Sequence, residues 1–340
     1  MRSLRAVVYG VGAMGSIIAR LMLEKGVEIV GAVARSPQKV GRDLGEVASL
    51  GFATGVIVES DARRALEAGA DIAVVSLASY LSVMFDHFKL CLEHGANVVT
   101  IEEESIYPWG SAPELAARLD RIAKENGVSI AASGAQDVFW MNLVSTLAGA
   151  SHRIDAVSGR CTWNADDYGP EVAKHVHVGN TPEEFERHVA EHGWPDFVTR
   201  STLEALVADV GLTAESVKTA VVPVLAEADT PSRGLDRVIS RGRVLGVVDS
   251  ATIATREGPT FSFEMAGSVY GPGETDVNEW TIWGEPDLHL RNDRVPTRLI
   301  TCTSVVNRIP DVINAEPGFV TLDRLPKPRY RALPLGHYVS

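Results

Sequence analysis

A run of three glutamates at residues 102–104 follows directly after residues 97–101, an apolar stretch typical of a core strand. On an exposed loop such residues form a solvated acidic surface, and we expect this for at least one of the three. A carboxylate held beside an apolar wall would instead have a raised pKa, and it could act as a base or bind an ammonium ion. Pro108 and Trp109 follow in the same loop and would fix it and exclude water.

A glycine-rich turn near the start of the chain is the second feature with a chemical use. Residues 6–9 predict a strand, a GxGxxG pattern follows, and apolar residues then recur at helical spacing. Gly10 would permit the turn, Gly12 would let a pyrophosphate approach the backbone, and Gly15 would let the helix lie close to the strand. The helix N-terminus would attract the phosphates. The residues expected to bind a dinucleotide here are Gly10, Gly12, Ala13, Met14 and Gly15.

The turn after the second predicted strand, residues 27–33, decides between NAD and NADP in folds of this kind. An acidic side chain there would bind the ribose hydroxyls and repel a 2′-phosphate, but this sequence has Arg35, Ser36 and Lys39. Arg35 could grip a phosphate with its planar guanidinium, and Ser36 could donate a hydrogen bond. The alternative is a solvated basic turn. We expect NADP(H) as the preferred cofactor, with NAD(H) also possible.

These residues require a parallel sheet that brings the ends of its strands together. Further strand patterns at residues 55–58, 71–77, 97–101 and 128–132 alternate with helix patterns at residues 62–68, 81–94 and 112–125. Because ligands bind beyond the carboxyl ends of parallel strands, Leu77, Ala78 and Ser79 should lie under the nicotinamide. The series predicts an α/β fold, with a doubly wound parallel Rossmann sheet of six strands at residues 1–134.

The pattern changes after residue 134. We predict helices at residues 141–148, 181–192, 202–210 and 216–226, and strands at residues 154–163, 244–248, 251–256, 260–269 and 279–283. Alternating apolar and polar residues favour a mostly antiparallel sheet whose open face is covered in a homodimer. This is a second, α+β domain at residues 135–294 for substrate binding and dimerisation. A helix at residues 296–313 would return to the first domain, which residues 295–340 complete, and place Asn307 near the cofactor.

Composition limits the possible partners. The chain has 340 residues, 45% of them hydrophobic and 22% charged, with a formal net charge of −12 at pH 7. That charge argues against nucleic acid, and no apolar run approaches the roughly 20 residues of a membrane helix. Cys91, Cys161 and Cys302 suggest neither a disulfide framework nor a zinc site, and no metal is expected. Residues 1–5 lead into the first strand without a signal sequence, so a cytoplasmic location is expected.

Three motifs together resemble one known family. They are the GVGAMG turn at residues 10–15, Glu-Glu-x-x-Tyr-Pro at residues 103–108, and a C-terminal pair, Asn-Arg-Ile-Pro-Asp-Val at residues 307–312 with Glu-Pro-Gly-Phe at residues 316–319. The chain is similar in these motifs to 2,4-diaminopentanoate dehydrogenases and native amine dehydrogenases, whose architecture resembles that of dihydrodipicolinate reductase. The resemblance implies NAD(P)H-dependent interconversion of a carbonyl compound plus ammonia with an amine.

The resemblance also implies particular site residues. The second glutamate of the Glu-Glu-x-x-Tyr-Pro motif is the catalytic carboxylate in that family, and this position is Glu104 here. The residues placed near the substrate are Phe139, Trp140, Trp163 and Asn164, with core packing as the alternative for each aromatic residue. We predict reductive amination of a ketone or aldehyde, and the reverse oxidative deamination of a primary amine.

Two departures from related sequences bear on the substrate. Diaminopentanoate dehydrogenases tend to have Asn-Pro-Gly after the sixth strand, whereas residues 134–140 here are Gly-Ala-Gln-Asp-Val-Phe-Trp, which favours a bulkier and more apolar pocket. The paired histidines, lysine and Asp-Ala-Pro-Ser-Gly run of dihydrodipicolinate reductases are absent. His175 and His177 near Lys174 do not reproduce that signature, and we expect structural roles for them.

Three alternatives stay open at this point. The protein could be a 2,4-diaminopentanoate or other amino acid dehydrogenase, in which Arg160 would bind the substrate carboxylate. It could be a non-catalytic NADP-binding sensor, in which the acidic loop is a solvated turn. A sugar or alcohol dehydrogenase is the third, although no Lys-Pro motif follows the fifth strand to support it.

Overall fold

The computed structural model describes residues 3–340, which form two compact units. The first unit contains the chain up to Asn142 together with Arg298–Ser340, and the second contains Leu143–Thr297. The sequence predicted boundaries at residues 134–135 and 294–295, within nine residues of these positions. Met1 and Arg2, part of the predicted leaderless amino terminus, lie outside the described residues.

The amino-terminal part of the first unit alternates strands and helices. Its strands are β1 (Leu4–Tyr9), β2 (Val27–Val33), β3 (Val58–Glu59), β4 (Ile72–Val75), β5 (Asn97–Thr100) and β6 (Ser129–Ala132). Its helices are α1 (Ala13–Glu24), α2 (Leu44–Val47), α3 (Ala62–Glu67), α4 (Leu81–Glu93) and α5 (Pro113–Glu125). The strands pair in parallel in the order β6-β5-β4-β1-β2-β3. β4 and β6 are buried along their whole length, because helices cover both faces of such a sheet. The predicted Rossmann sheet is confirmed.

The second unit combines short helices with long strands. Its helices are α6 (Leu143–Ala148), α7 (Pro170–His175), α8 (Pro182–His192) and α9 (Phe197–Asp209). Its strands are β7 (Arg153–Asn164), β8 (Ala214–Leu225), β9 (Thr230–Ser232), β10 (Arg237–Ile239), β11 (Val244–Thr255), β12 (Thr260–Ser268), β13 (Val277–Glu285) and β14 (Leu288–Asp293). The large sheet has the order β14-β13-β7-β12-β11-β8, and its described pairs are antiparallel apart from the parallel pair β12–β7. The prediction of a mostly antiparallel sheet is confirmed.

The two faces of this sheet differ. On the buried face the ring of Phe263 stacks on that of Trp280 at 4.9 Å between centroids, above Gly159, where a Cβ would lie 2.4 Å from the Trp280 ring. Helix α9 packs against β11 and β12, and most of its residues are buried. The opposite face carries exposed side chains such as Trp283 and Val222. One face of the sheet is therefore open in the single chain.

Several predicted elements differ from the observed ones. The helix predicted at residues 216–226 is wrong, because this segment is strand β8. Val221 and Val222 are β-branched, and Pro223 cannot donate a helical hydrogen bond, so the segment is better suited to pairing with β11. The two strands predicted at residues 244–256 form one continuous strand, and α9 begins five residues earlier than predicted. Strand β14 was not predicted.

The chain returns to the first unit through helix α10 (Thr297–Ile313) and strand β15 (Gly318–Phe319), which pairs in parallel with β6. The described sheet of this unit thus has seven strands where the sequence predicted six. A π-helical turn at Gln136–Asn142 follows β6. No helix within residues 3–340 is both long enough and apolar enough to span a membrane.

A buried ion pair connects the π-helical turn to α10. Arg308 Nε lies 2.7 Å from Asp137 Oδ2, and Arg308 Nη2 lies 2.7 Å from Asp137 Oδ1. The two side chains are 1% and 0% exposed. Asp137 also accepts hydrogen bonds from Ser133 Oγ and Asn142 Nδ2, both at 2.7 Å, while Arg308 Nη1 donates to the Pro326 carbonyl. Both charges are therefore hydrogen-bonded on several sides, as burial requires.

We expect Arg308→Met to lower the free energy of unfolding by about 3–5 kcal/mol, because it leaves the Asp137 carboxylate buried without its charged partner. Denaturant titration measures the loss. Arg20→Met is the matched control: it removes an exposed pair with Glu24, whose two side chains are 47% and 55% exposed, and should cost at most about 1 kcal/mol. Equal losses in the two variants would contradict this role of Arg308.

Candidate functional site

The glycines after β1 lie in three different environments. Gly10 has a φ of +112°, in the left-handed region, and a Cβ there would lie 2.4 Å from the Ser76 carbonyl oxygen. A Cβ on Gly15 would lie 1.8 Å from the Gly10 carbonyl oxygen, which α1 approaches closely. At Gly12 no atom of the described residues lies within 4 Å of the Cβ position. The turn is tight at Gly10 and Gly15 and open at Gly12, which is the shape that a pyrophosphate needs.

The start of α1 offers donors and charge beside this open space. Gly12 is the N-cap, and no side chain of the described residues caps this end through a hydrogen bond. Gly12 and Ala13 are exposed, and Ala13 and Met14 supply the first N–H groups of the helix. Lys39 Nζ donates to the Val11 carbonyl oxygen at 2.7 Å, which holds an ammonium group at the same turn. The turn therefore has the open space, the N–H donors and the positive charge that a pyrophosphate requires.

The basic turn after β2 is held in place by hydrogen bonds. Arg35 Nη2 lies 3.1 Å from His87 Nε2 on α4, and Ser36 Oγ donates to Gln38 Oε1 at 2.5 Å. Arg35 itself is exposed. A guanidinium has five N–H donors, so Arg35 can bind His87 and a phosphate at the same time. His87 belongs to no sequence motif, so the sequence alone could not identify it as a neighbour of Arg35.

The three glutamates after β5 do not form a solvated surface. Glu102 is 1% exposed, and Glu103 and Glu104 are half-buried, so the expectation of at least one solvated carboxylate is wrong. The physical reason is a 3-10 turn at Glu104–Ile106 that the buried Glu102 side chain supports. The carboxyl oxygens of Glu102 accept hydrogen bonds from the N–H groups of Glu104 at 3.0 Å and Ser105 at 2.9 Å. Burial raises the pKa of Glu102 well above its usual range. Glu102 is a structural carboxyl group.

Glu104 and Glu103 both bind the segment that follows β4. Glu104 Oε2 accepts a hydrogen bond at 2.8 Å from the N–H of Leu81, the first residue of α4. A carboxylate is favourable at a helix N-terminus because it satisfies an N–H group and faces the positive end of the dipole. Glu103 is hydrogen-bonded to Ser79, but burial outweighs this bond and raises the pKa of Glu103. Hydrogen bonds therefore join the ends of β4 and β5.

The same segment also reaches the glycine turn. Leu77 Cδ2 lies 2.9 Å from the position of a Cβ on Gly10, and the Leu77 side chain is 40% exposed. Burial, with Glu103 and Glu104 as further causes, raises the pKa of Tyr80, which stays protonated at neutral pH. Residues 77–81 thus run from the glycine turn to the acidic cluster. Leu77, an exposed apolar residue, lies at the end of this segment that contacts the glycine turn.

The loop after the acidic cluster is anchored in the core. Pro108 is buried, and the Trp109 ring meets that of Phe319 edge to face at 5.9 Å between centroids. Phe319 is in β15, where its N–H donates to Asp120 Oδ1 at 3.0 Å. The motif at residues 103–108 and the Glu-Pro-Gly-Phe motif are therefore neighbours in the fold.

Phe139 and Trp140 belong to the π-helical turn whose Asp137 is bound by Arg308. Phe139 is half-buried and Trp140 is 8% exposed. Turns of this kind occur frequently at functional sites. Asn307 is half-buried beside Arg308 on α10, a helix that reaches the glycine turn where Cys302 Sγ lies 3.7 Å from the Met14 carbonyl oxygen.

Trp163 and Asn164 end strand β7 in the second unit. The Trp163 ring lies over Gly267, where a Cβ would be 2.1 Å from it, and meets the Tyr168 ring edge to face at 5.3 Å. The Asn164 N–H donates to Asp276 Oδ1, and its side chain accepts from the Asp166 N–H, both at 3.2 Å. His177 lies in the same unit, with its ring 4.5 Å from that of His188. Burial lowers the pKa values of His175 and His177.

Arg160 lies on the open face of the β7 sheet and is exposed. It pairs in register with Glu264 on β12 and Glu279 on β13. Side chains alternate between the faces of a strand, so Arg160 and Trp163 point to opposite faces. The structure does not bring these two predicted site residues together.

The sequence of this chain is similar to those of known proteins. The sequence model of one family, described as the 2,4-diaminopentanoate dehydrogenase C-terminal domain, matches residues 139–333. The chain is also 30% identical over 345 residues to the 2,4-diaminopentanoate dehydrogenase of Acetoanaerobium sticklandii, a match that covers 97% of this chain and 95% of that protein.

The chain is also similar to proteins whose structures have been solved. An amine dehydrogenase from Mycobacterium smegmatis is 52% identical, with a TM-score of 0.93 and coverage of 98% of both chains. A myo-inositol 2-dehydrogenase from Lactobacillus plantarum is 14% identical with a TM-score of 0.60, covering 95% of this chain and 93% of that one, which is a similarity of fold alone.

We expect Gly12→Ala and Gly15→Ala to separate binding from folding. The methyl group added by Gly12→Ala would fill the open space beside the turn, so the Kd for NADPH should rise about tenfold or more with little change in Tm. Gly15→Ala would place a methyl group against the Gly10 carbonyl and lower the stability by more than about 2 kcal/mol. Calorimetric titration and thermal unfolding measure the two effects. A Gly12→Ala protein with unchanged cofactor affinity would contradict the assignment of the turn.

Proposed function

This chain belongs to the 2,4-diaminopentanoate dehydrogenase family and is an oxidoreductase acting on CH–NH2 groups, and from this we propose that it is a nicotinamide-dependent amine dehydrogenase. It aminates a ketone or aldehyde with ammonia and, in reverse, deaminates a primary amine. One observation carries the proposal: the Glu104 carboxylate is bound to the first N–H of α4, one short segment from the glycine turn.

The cofactor we propose is NADP(H), with NAD(H) also accepted. Gly12, Ala13 and Met14 would hold the pyrophosphate, since they combine open space with the N-terminus of α1. Arg35 and Ser36 would bind the 2′-phosphate. The further residues proposed at the cofactor are Gly10, Gly15, Leu77, Ala78, Ser79 and Asn307. When bound, the nicotinamide exchanges a hydride with the substrate carbon.

In the amination direction, Glu104 performs the proton transfers. Its carboxylate attracts ammonium and removes one proton, and the resulting ammonia attacks the carbonyl carbon. The protonated carboxyl group then returns that proton to the hydroxyl of the carbinolamine, which leaves as water. The product is an iminium ion, and the carboxylate that has been regenerated stabilises its positive charge. The Leu81 N–H holds the carboxylate oriented throughout.

Apolar surroundings protect the iminium ion from hydrolysis. Phe139 and Trp140 are the residues we propose for this wall in the first unit, because the buried Asp137–Arg308 pair fixes their turn. Trp163 and Asn164 stay predictions from the family resemblance.

The placement of Arg160 bears on the alternative, an amino acid dehydrogenase. A substrate carboxylate would need a cation of its own, but Arg160 lies between two glutamates of the open sheet face. We therefore favour a plain carbonyl compound. A ketone and the 2-keto acid of the same chain length distinguish the two, since a site without a carboxylate partner should penalise the acid.

We expect Glu104→Gln to reduce kcat for amination about 100-fold or more, because the amide cannot take a proton from ammonium. Its oxygen can still accept from Leu81, so the turn should be retained. NADPH oxidation with a ketone panel, with and without ammonium at alkaline pH, gives the rates, and fluorescence titration gives the Kd for NADPH. Glu103→Gln is the control and should keep most of the activity.

Full amination by Glu104→Gln, with the cofactor bound, would refute the role of Glu104. Oxidation of NADPH by the native protein without ammonium would indicate an alcohol-forming reductase. Cofactor binding with no turnover across ketones, keto acids and diamino acids would support a sensor.

We also propose that the open face of the β7 sheet forms a homodimer. Val222 is 54% exposed and Trp283 is 50% exposed on this face, and both are large apolar side chains. Glu264, Arg160 and Glu279 lie side by side on the same face and present both signs of charge, which a second copy can complement.

We expect Trp283→Glu to shift the protein towards a monomer, because the new charge would be desolvated in the contact. Sedimentation velocity at several concentrations measures the shift. Tyr330→Glu changes a side chain that is 79% exposed in the first unit and should leave the association unchanged. Equal association states for native protein and Trp283→Glu would exclude this face as the interface.

A further inference from the structure

Three side chains form a continuous chain at the end of β1 and the turn after β2. Tyr9 is 4% exposed, and its hydroxyl lies 2.7 Å from Nδ1 of His87. The two rings meet edge to face at 5.3 Å between centroids. Nε2 of the same imidazole lies 3.1 Å from Nη2 of Arg35. His87 thus connects a buried tyrosine of the core to the exposed guanidinium that we assign to the cofactor.

The observed contacts of His87 are those of a neutral imidazole. Arg35 has donors and no acceptor, so Nε2 of His87 must accept and carry no proton. The neutral ring then has its proton on Nδ1 and donates it to the Tyr9 oxygen. A protonated imidazole has donors on both nitrogens, and its Nε2–H would point at a donor that is itself positively charged. The contact with Arg35 therefore requires neutral His87.

The charged and titratable groups around His87 give the direction of its titration. Burial, followed by the charge of Arg35, lowers the pKa of His87, whereas Asp86 on the same helix opposes these effects. Tyr9 faces the ring from β1. Burial raises the pKa of Tyr9 to about 12, with Cys91 and Asp61 acting in the same direction and Arg35 opposing them. Tyr9 keeps its proton, so acidification changes the charge of His87 first.

We propose that His87 is a positioning residue for Arg35 and that protonation of His87 weakens the preference for NADP(H) over NAD(H). The inference rests on the proposed NADP preference. While His87 is neutral, it holds one N–H of the exposed guanidinium and leaves the others for the ribose 2′-phosphate. Once His87 is protonated, Arg35 loses this support and is repelled. NAD(H) has no 2′-phosphate, so its binding should not depend on the state of His87.

Two substitutions separate the charge of His87 from its packing. His87→Gln places an amide oxygen at the ε position, where it can accept from Arg35 as Nε2 does, but it does not titrate. His87→Leu keeps an apolar side chain against Tyr9 and removes the acceptor. Arg35→Ala tests the assumed phosphate contact itself. Thermal unfolding at each pH shows that the variants are folded.

The measurement is the Kd of NADP+ and of NAD+ by calorimetry, for the full-length protein between pH 4.5 and 8.5, a range that extends to low pH because the pKa of His87 is lowered. In the native protein the Kd ratio of NADP+ to NAD+ should rise on acidification by about tenfold more than in His87→Gln, the value of one charge-assisted hydrogen bond. The 2′-phosphate itself titrates near pH 6, but it does so equally in both proteins and cancels in the comparison. His87→Leu should bind NADP+ weakly at every pH, with no added pH dependence.

The possible results are distinguishable. Identical pH profiles for native protein and His87→Gln would overturn the inference, as would tighter NADP+ binding by the native protein at low pH, since His87 would then contact the phosphate directly. If His87→Gln is unstable, unchanged NADP+ affinity in His87→Leu overturns it equally. If Arg35→Ala binds both dinucleotides as the native protein does, the proposed NADP preference itself fails.

Discussion

One buried ion pair holds two distant segments of the first unit together. Asp137 and Arg308 are 171 residues apart in the chain, yet they make two parallel hydrogen bonds at 2.7 Å with almost no exposure. Burial of two charges is costly, and the cost is offset only if the other donors and acceptors are also satisfied. Here Ser133, Asn142 and the Pro326 carbonyl supply those bonds. One contact therefore fixes the turn after β6, which carries Phe139 and Trp140, against the helix that carries Asn307.

The acidic cluster shows how adjacent identical residues can take different roles. Glu102, Glu103 and Glu104 have the same side chain, but the 3-10 turn after β5 sends them to different surroundings. Glu102 is buried and holds the turn by two hydrogen bonds from backbone N–H groups. Glu104 instead accepts a hydrogen bond from the N–H of Leu81, the first residue of α4. The proton-transfer role that we propose for Glu104 needs a fixed position and access to the substrate. The buried neighbour supplies the first, and half-burial of Glu104 leaves room for the second.

The sequence predicted those parts of the fold that follow from local backbone requirements. The glycine turn is an example, because the left-handed φ of Gly10 and the close approach at Gly15 are properties that glycine alone tolerates. The meeting of the carboxyl ends of the strands at one edge of the sheet follows from their parallel pairing. His87 could not be found in this way, since its contact with Arg35 exists only where α4 packs beside the turn after β2. The burial of Glu102 likewise depends on the tertiary fold, which overrides the polar character of a glutamate run.

Strand β7 shows why proximity in sequence is a weak guide to a site. Arg160 and Trp163 are three residues apart, which would place them on one side of a helix, but in a strand an odd spacing separates the faces. The buried face had to accept Trp163, because Gly267 leaves space for its ring on the neighbouring strand. Arg160 then had to point to the open face, where glutamates on both neighbouring strands match its charge. Because side chains alternate between the two faces of a strand, Arg160 lies on the open surface of the sheet. A substrate carboxylate would therefore need its cation from another element.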